Sequence, residues 1–346
     1  MSGLFSNILK QDVSEPKINV QKEVVKDVKD YVNGETVEEM VNAHIEQMET
    51  KSVNAFKVDV PETTKAVETP VVTPTVSAPI GPKFDGAYEL EAGPNVIDLE
   101  NITLKFGDFT LFDKLNFSIP DFKGEGQFIA IMGGSGSGKT QMSRLISGLK
   151  TPNEGTVKMY GKPYDEKTYV PMVFQQYSSF PWMTVLENVA LPLKMKGVGK
   201  EEREAKAMEV IKLVGLEGHE TKWAQYPTLS GGQLQRVSLA RNLVADSQIM
   251  ILDEYSSGLD TASKATMQDI LLKLFYDDKI DRTFIMITHD INEAIYLSQR
   301  VYLLDAKTHT FGDVIDVKFD GKRDRSIIGT QKYQEYYKRI EDFFKK

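Results

Sequence analysis

Phe128-Ile-Ala-Ile-Met-Gly-Gly-Ser-Gly-Ser-Gly-Lys-Thr140 is the stretch on which the fold of this 346-residue chain turns. It opens with apolar residues suited to a buried strand. It continues through Gly133-Gly134-Ser135-Gly136-Ser137-Gly138-Lys139-Thr140, and Gln141 to Ser147 then reads as a helix. Strand, glycine loop and helix in that order are the context a phosphate-binding loop requires. The glycines allow backbone angles barred to other residues and bring amide hydrogens close to an anion. The helix start adds free amides and the positive end of its dipole. A lysine at 139 is placed to reach terminal phosphates, and the Thr140 hydroxyl to hold Mg²⁺. The bland alternative, a glycine-rich turn before an ordinary helix, does not account for the lysine and the threonine together.

Composition bounds the rest. The chain is long enough to bury a sizeable core and to hold two domains. It has no cysteine, which excludes disulfides and thiolate metal sites and fits a cytoplasmic protein. No run approaches the roughly 18 apolar residues of a membrane span, and Met1 to Lys10 lacks the charged front and apolar centre of a signal peptide. The net charge is −8, unevenly spread. Residues 1–94 hold 9 Lys, no Arg and 16 Asp plus Glu, a net of −7, which leaves −1 for the remainder. No large basic excess is left to grip a nucleic-acid backbone.

The first 94 residues read as an appendage: an acidic extension over 1–60 and a Pro-, Thr- and Val-rich linker over 61–94. Val20, Val24, Val28 and Tyr31 recur at helical spacing, as do Val37, Met40, Val41, His44, Ile45 and Met48, with Asn33-Gly34 between them. A short helical hairpin and a poorly ordered acidic tail both fit. His44 on the apolar side suits a packed histidine better than a metal ligand.

From residue 95 onward, strands and helices alternate. Val96 to Leu99, Ile102 to Phe106 and Leu111 to Ile119 read as strands, and so do Gly155 to Tyr160 and Tyr169 to Phe174. Gln175 to Trp182 reads as a loop, and 184–216 as helix broken at Pro192 and Gly197. Ser230 suits the N-cap of a helix running on through Arg241. Gln248 to Leu252 and Thr283 to Thr288 are buried strands that end in Asp253-Glu254 and His289-Asp290. Such alternation implies a parallel sheet covered on both faces, with ligands at the carboxyl ends of its strands. The glycine loop, Asp253-Glu254 and His289 all fall at such ends. Phe106, just before Gly107, is placed either to stack on a flat base or to pack as an edge-strand aromatic.

Taken together, these motifs resemble the ATP-binding cassette (ABC) ATPases from about Ile97 to at least Phe311. The resemblance rests on the glycine loop, Gln175, Leu229-Ser-Gly-Gly-Gln233, Asp253-Glu254 with the Ser257 to Asp260 turn, and His289. Phe180-Pro-Trp-Met-Thr-Val-Leu-Glu-Asn188 and the short tail look most like importer subunits of the nitrate, sulfonate and taurine type. The resemblance implies an α/β P-loop fold with a parallel-sheet core, an antiparallel β subdomain and a helical subdomain near 176–245. The ATPase domain would span 95–318, followed by a tail helix within 319–346. It implies ATP and Mg²⁺ as ligands. Gly133 to Thr140 would bind the phosphates, with Phe106 at the base. Thr140, Gln175 and Asp253 would hold the metal, and Lys139, Gln175, Glu254 and His289 would carry catalysis. Ser230, Gly231 and Gly232 would serve the nucleotide of a second cassette, and Gln233 and Asp260 would also bind nucleotide.

The resemblance further implies a dimer of cassettes and a separate integral membrane permease. The subunit would sit on the inner face of the membrane, energise transport, and bind no nucleic acid. Two departures stand out. The family usually has proline after the catalytic glutamate, where this chain has Tyr255, and the 94-residue front segment is foreign to the ordinary cassette. Two alternatives stay open: a soluble ABC ATPase acting on nucleic acid or ribosomes, and a nucleotide-gated scaffold that hydrolyses poorly.

Overall fold

The structure is a computed structural model. It describes residues 94–122, 126–176, 178–277, 281–321 and 323–345. The hairpin and linker readings of 1–93 lie outside the described residues.

A four-stranded antiparallel sheet of order β2-β1-β4-β5 comes first. It is formed by β1 (Ile97–Phe106), β2 (Phe109–Ile119), β4 (Glu154–Met159) and β5 (Lys162–Pro163). The two expected strands 96–99 and 102–106 are one strand, because β1 absorbs the break between them as register irregularities against β2 and β4.

The second sheet has six strands in the order β10-β9-β3-β8-β7-β6. They are β3 (Gln127–Gly133), β6 (Met172–Val173), β7 (Ile249–Asp253), β8 (Thr283–Thr288), β9 (Arg300–Leu304) and β10 (Phe311–Asp316). Pairing is parallel from β9 through β6, and antiparallel between β10 and β9. Its central strands are buried along their whole length, so they read as apolar runs rather than alternations. The period of two survives in how they sort their side chains. Ile129, Ile131, Ile249, Ile251, Ile285 and Ile287 join the core shared with the antiparallel sheet and with α1 (Lys139–Ser147). Phe128, Met132, Met250, Leu252, Phe284 and Met286 join the core under the helices on the other face. There Phe128 stacks on Phe284 with ring centroids 5.0 Å apart. Truncating such a ring to alanine typically costs about 3–5 kcal/mol.

The helical part comprises α2 (Val185–Met195), α3 (Lys200–Leu213) and α4 (Gly231–Leu243). The chain breaks near Gly197, at φ 79°, while Pro192 lies inside α2. A proline removes one backbone donor. Here the buried face of Val185, Val189, Ala190 and Leu193 and the Thr184–Glu187 capping box hold the helix across it. Two more helices, α5 (Thr261–Asp277) and α6 (Ile291–Leu297), follow β7 and β8. In the expected tail helix, a 3₁₀ turn at Arg325–Ile327 ends at the extended Ile328, and a separate helix α7 (Gln331–Phe344) follows, capped by Thr330. Among the described residues no helix is long and apolar enough to cross a membrane.

Candidate active site

The parallel register brings the strand ends to one edge. Met132 pairs with Thr288, Asp253 with Ile287 and Gly133 with Leu304. The loop after β3, the acidic pair ending β7 and the histidine after β8 therefore meet. They form a cleft of about 830 Å³ lined by Gly133, Gly134, Ser135, Gly136, Lys139, Thr140, Glu254 and His289.

The loop between β3 and α1 needs its glycines. Gly136 and Gly138 have φ of 77° and 103°, in the left-handed region that side chains disfavour. A Cβ on Gly138 would also lie 2.7 Å from the Phe112 ring. Gly138 caps α1 without a side-chain hydrogen bond, so the first amides of the helix keep their capacity for an anion. The Lys139 ammonium donates to the carbonyls of Gly133 (2.8 Å) and Gly134 (3.0 Å). Burial lowers its pKa, and the carboxylates of Glu254 and Asp253 oppose that shift.

Asp253 is buried at the end of β7, and its Oδ2 accepts from the Ser143 hydroxyl at 2.9 Å. Burial is the main cause that raises its pKa. Glu254 adds to the rise, while Ser143, Arg144 and Lys139 oppose it. Glu254 sits at φ 44°, an uncommon backbone for a residue with a side chain. Its amide donates to the Ile287 carbonyl, which ties the turn to β8. The Glu254 Oε1 lies 3.4 Å from the Nδ1 of His289, whose ring is two-thirds exposed to the cleft and solvent. A carboxylate, an imidazole and a buried ammonium thus converge beside amides able to hold an anion.

Other expected residues lie outside this cleft. Gln175 is exposed and donates to Ser257 Oγ at 3.2 Å. Ser230 and Gln233 form a reciprocal capping box at the start of α4. Gly232 there packs so closely on Ser263 that an added Cβ would lie 2.6 Å from its hydroxyl. Asp260 accepts from the Ser263 amide and hydroxyl, so its turn sits beside the α4 start. These hydrogen bonds hold the Asp260 carboxyl below the usual range. Phe106 ends β1, is partly exposed, and has the Lys150 ammonium 5.4 Å from its ring centroid. Ser137 and Gly138 shape the loop without lining the cleft.

The structure adds wall residues that no motif marked. Ile291, Asp305, Ala306, Lys307 and the α7 residues Phe343 and Phe344 line the same cleft.

For Mg²⁺ the donor set fits. A threonine hydroxyl, a carboxylate and a side-chain amide oxygen are the hard oxygen ligands it takes. Among the described residues no three His, Asp or Glu side chains cluster as a protein-only metal cage.

Comparison with known proteins gives one answer. The family model described as ABC transporter matches residues 112–257. An ABC transporter ATP-binding protein of Methanocaldococcus jannaschii is 40% identical over 226 residues, 64% of this chain and 80% of the relative. The nitrate import ATP-binding protein of Synechocystis is 34% identical over 72% of this chain and 90% of its own. The spermidine/putrescine import ATP-binding protein of Pseudomonas aeruginosa is 39% identical over 61% of this chain, and the match spans 57% of that relative's length. A bacterial ABC transporter cassette solved as a dimer superposes with a TM-score of 0.55 at 32% identity. The match covers 64% of this chain and 99% of the cassette. A post-hydrolysis dimer bound to ADP and Pi matches equally well, at 31% identity.

Proposed function

Since the chain belongs to the ATP-binding subunits of ABC transporters, which bind and hydrolyse ATP, we propose that it energises an importer through ATP-driven pairing of two cassettes. The observation that carries the reading is the Glu254–His289 pair, set 3.4 Å apart in the cleft that also holds Lys139 and the glycine loop.

In this reading the loop amides and Lys139 hold the ATP phosphates and stabilise the charge that develops on the transferred group. Glu254 accepts the proton of the attacking water. His289 contacts the γ-phosphate and keeps Glu254 and the water in line. Thr140, Asp253 and Gln175 hold Mg²⁺, which when bound neutralises phosphate charge. Phe106 stacks on the base. Ser230, Gly231, Gly232, Gln233 and Asp260 meet the nucleotide of the neighbouring cassette, and a dimer solved for a related cassette supports that arrangement.

A membrane permease completes the machine. Trp182, Trp223 and Tyr226 are 67%, 50% and 79% exposed on and beside the loop that follows Gln175. In this reading these aromatics belong to the surface that meets the permease, and the Gln175 loop would relay the state of the nucleotide to it. The ATPase domain spans 95–318 and the subunit sits on the inner face of the membrane. The nitrate, sulfonate and taurine type rests on the 180–188 segment and the nitrate import relative. Polyamine and iron import relatives have similar identity, so in this reading a permease, not this chain, selects the cargo.

The rival is an ABC ATPase that acts on nucleic acid. The acidic balance and the single cassette disfavour it. Turnover of the purified chain in Mg²⁺, with and without DNA or RNA, tests both. The expected result is Mg²⁺-dependent hydrolysis that nucleic acid leaves unchanged and that Lys139→Ala removes. Stimulation by nucleic acid without any membrane protein would favour the rival. Absent turnover would favour the nucleotide-gated scaffold.

A further inference from the structure

Beneath the Glu254–His289 pair lies a second carboxyl that the hydrolysis scheme does not use. Glu293, on α6, is almost wholly buried. Its Oε2 accepts from the Thr288 hydroxyl at 2.8 Å. Thr288 Oγ1 in turn accepts from the Asp290 amide at 3.1 Å. The side chain therefore fixes both flanks of His289. The other carboxyl oxygen, Oε1, is buried with no hydrogen-bond partner among the described residues.

On the opposite strand end, Tyr255 directly follows Glu254 and is also fully buried. Its hydroxyl likewise has no hydrogen-bond partner among the described residues. The Glu254 amide bonds the Ile287 carbonyl and Glu293 bonds Thr288, so the two groups stand at adjoining strand ends. Burial first, and then the adjoining Glu293 carboxyl, push the phenol well above its ordinary range. A buried hydroxyl and a buried carboxyl oxygen, each otherwise unsatisfied, together cost a domain several kcal/mol if left apart. They satisfy each other if the phenol donates to Oε1.

We propose that Tyr255 and Glu293 are a buried positioning pair for the hydrolytic step, in which the phenol donates to Glu293 Oε1 and clamps the strained Glu254 turn to the Thr288–Asp290 segment that carries His289. The proposal rests on the catalytic reading of Glu254 and His289. Neither Tyr255 nor Glu293 lines the cleft, so both act through the residues beside them. The pair holds by hydrogen bonding the turn that a proline at 255 would hold by ring stiffness. It also assigns a role to the departure from the family pattern at this position.

The test compares steady-state ATP turnover and nucleotide affinity for the parent chain and for Tyr255→Phe, Glu293→Leu, Glu293→Gln and the Tyr255→Phe/Glu293→Leu double variant. Removing one hydroxyl without changing ring volume should lower kcat about tenfold, the scale of one buried hydrogen bond left unmade. KM for ATP should stay within about twofold, as for an interaction felt in the transition state alone. Glu293→Leu should show the same split. Glu293→Gln keeps one oxygen to accept from the Tyr255 phenol, while its amide nitrogen can donate to the Thr288 hydroxyl oxygen, and it should recover most of the rate. The double variant should lose no more than the worse single one, because the two residues act as a unit.

The proposal is overturned if Tyr255→Phe turns over at the parent rate, if the losses appear in KM, or if Glu293→Gln is as slow as Glu293→Leu. Should Glu293→Leu fail to fold, Tyr255→Phe decides alone. A parent chain that binds ATP without hydrolysing it would overturn the catalytic reading, and the pair with it.

Discussion

Two helix starts in this molecule offer backbone amides and a dipole to an anion, and they stand in opposite conditions. The start of α1 lies at the carboxyl end of β3. Its lysine is buried and already bonded to loop carbonyls, and the same cleft holds Glu254 and His289. The start of α4 has a serine cap and two glycines, but its cap is satisfied by Gln233 and it lines no part of that cleft. Both have free amides and a dipole. The first is surrounded by the groups to which we assign hydrolysis. The second packs on the Asp260–Ser263 turn and, through Gln233, on His219. In the proposed pairing, the first start holds the nucleotide of its own cassette and the second is left to face the α1 start of another copy.

The largest effect that would break this comparison is on chemistry at the first start. Glu254→Gln should lower turnover by about 10²–10⁴-fold, the usual value of proton acceptance by a placed base, while ATP binding persists. A variant within a few-fold of the parent would remove Glu254 from that role. Next comes the second start. Ser230→Arg fills the α4 face and should leave nucleotide affinity of the isolated chain within about twofold. Its turnover should fall by about tenfold or more, as when oriented anion donors are lost. Equal loss of affinity and turnover would show that both starts serve one chain.

The smallest effect sharpens the frame that holds the site. Asp290 caps α6 through the amides of Asn292 and Glu293 and pairs with Lys264. Burial works to raise its pKa. The Lys264 hydrogen bond and charge, with those two amides, prevail and hold it below the ordinary range. A depressed carboxyl adds stability above its unfolded pKa of about 3.9 and loses it as pH falls through the folded value. Asp290→Ala should therefore cost about 0.5–2 kcal/mol near neutrality, as lost caps do. The gap from the parent in denaturant melts should narrow below about pH 4.

Much of the frame was legible before any coordinates. The central strands are continuous apolar runs because both faces are covered, one by helices and the other by α1 and the antiparallel sheet, and each ends in a group of the candidate site. Ser230 announces α4 because a cap is a local, three-residue arrangement. What was not legible depends on distant chain segments. Asp305 to Lys307 and Phe343-Phe344 wall the cleft because β9 lies beside β3 and α7 returns to it, and neither segment has a spacing that marks a ligand. Pro192 reads as a breaker, yet tertiary packing of α2 carries the helix past it. Tyr255 is visible in the sequence as a departure, but the buried carboxyl opposite it emerges only when α6 is set against the end of β7. The front segment, read as hairpin or tail docking through Val37, Val41, Ile45 and Met48, lies outside the described residues. Deleting residues 1–82 should leave ATP affinity unchanged, and loss of binding or solubility would move the domain boundary.

The most direct measurement is light scattering of the Glu254→Gln chain with and without ATP and Mg²⁺. If the α4 start of one copy completes the α1 start of another, ATP should convert a monomer into a dimer, and adding Ser230→Arg should abolish the conversion. A chain that binds ATP yet stays monomeric at high concentration would contradict pairing of two copies through these starts.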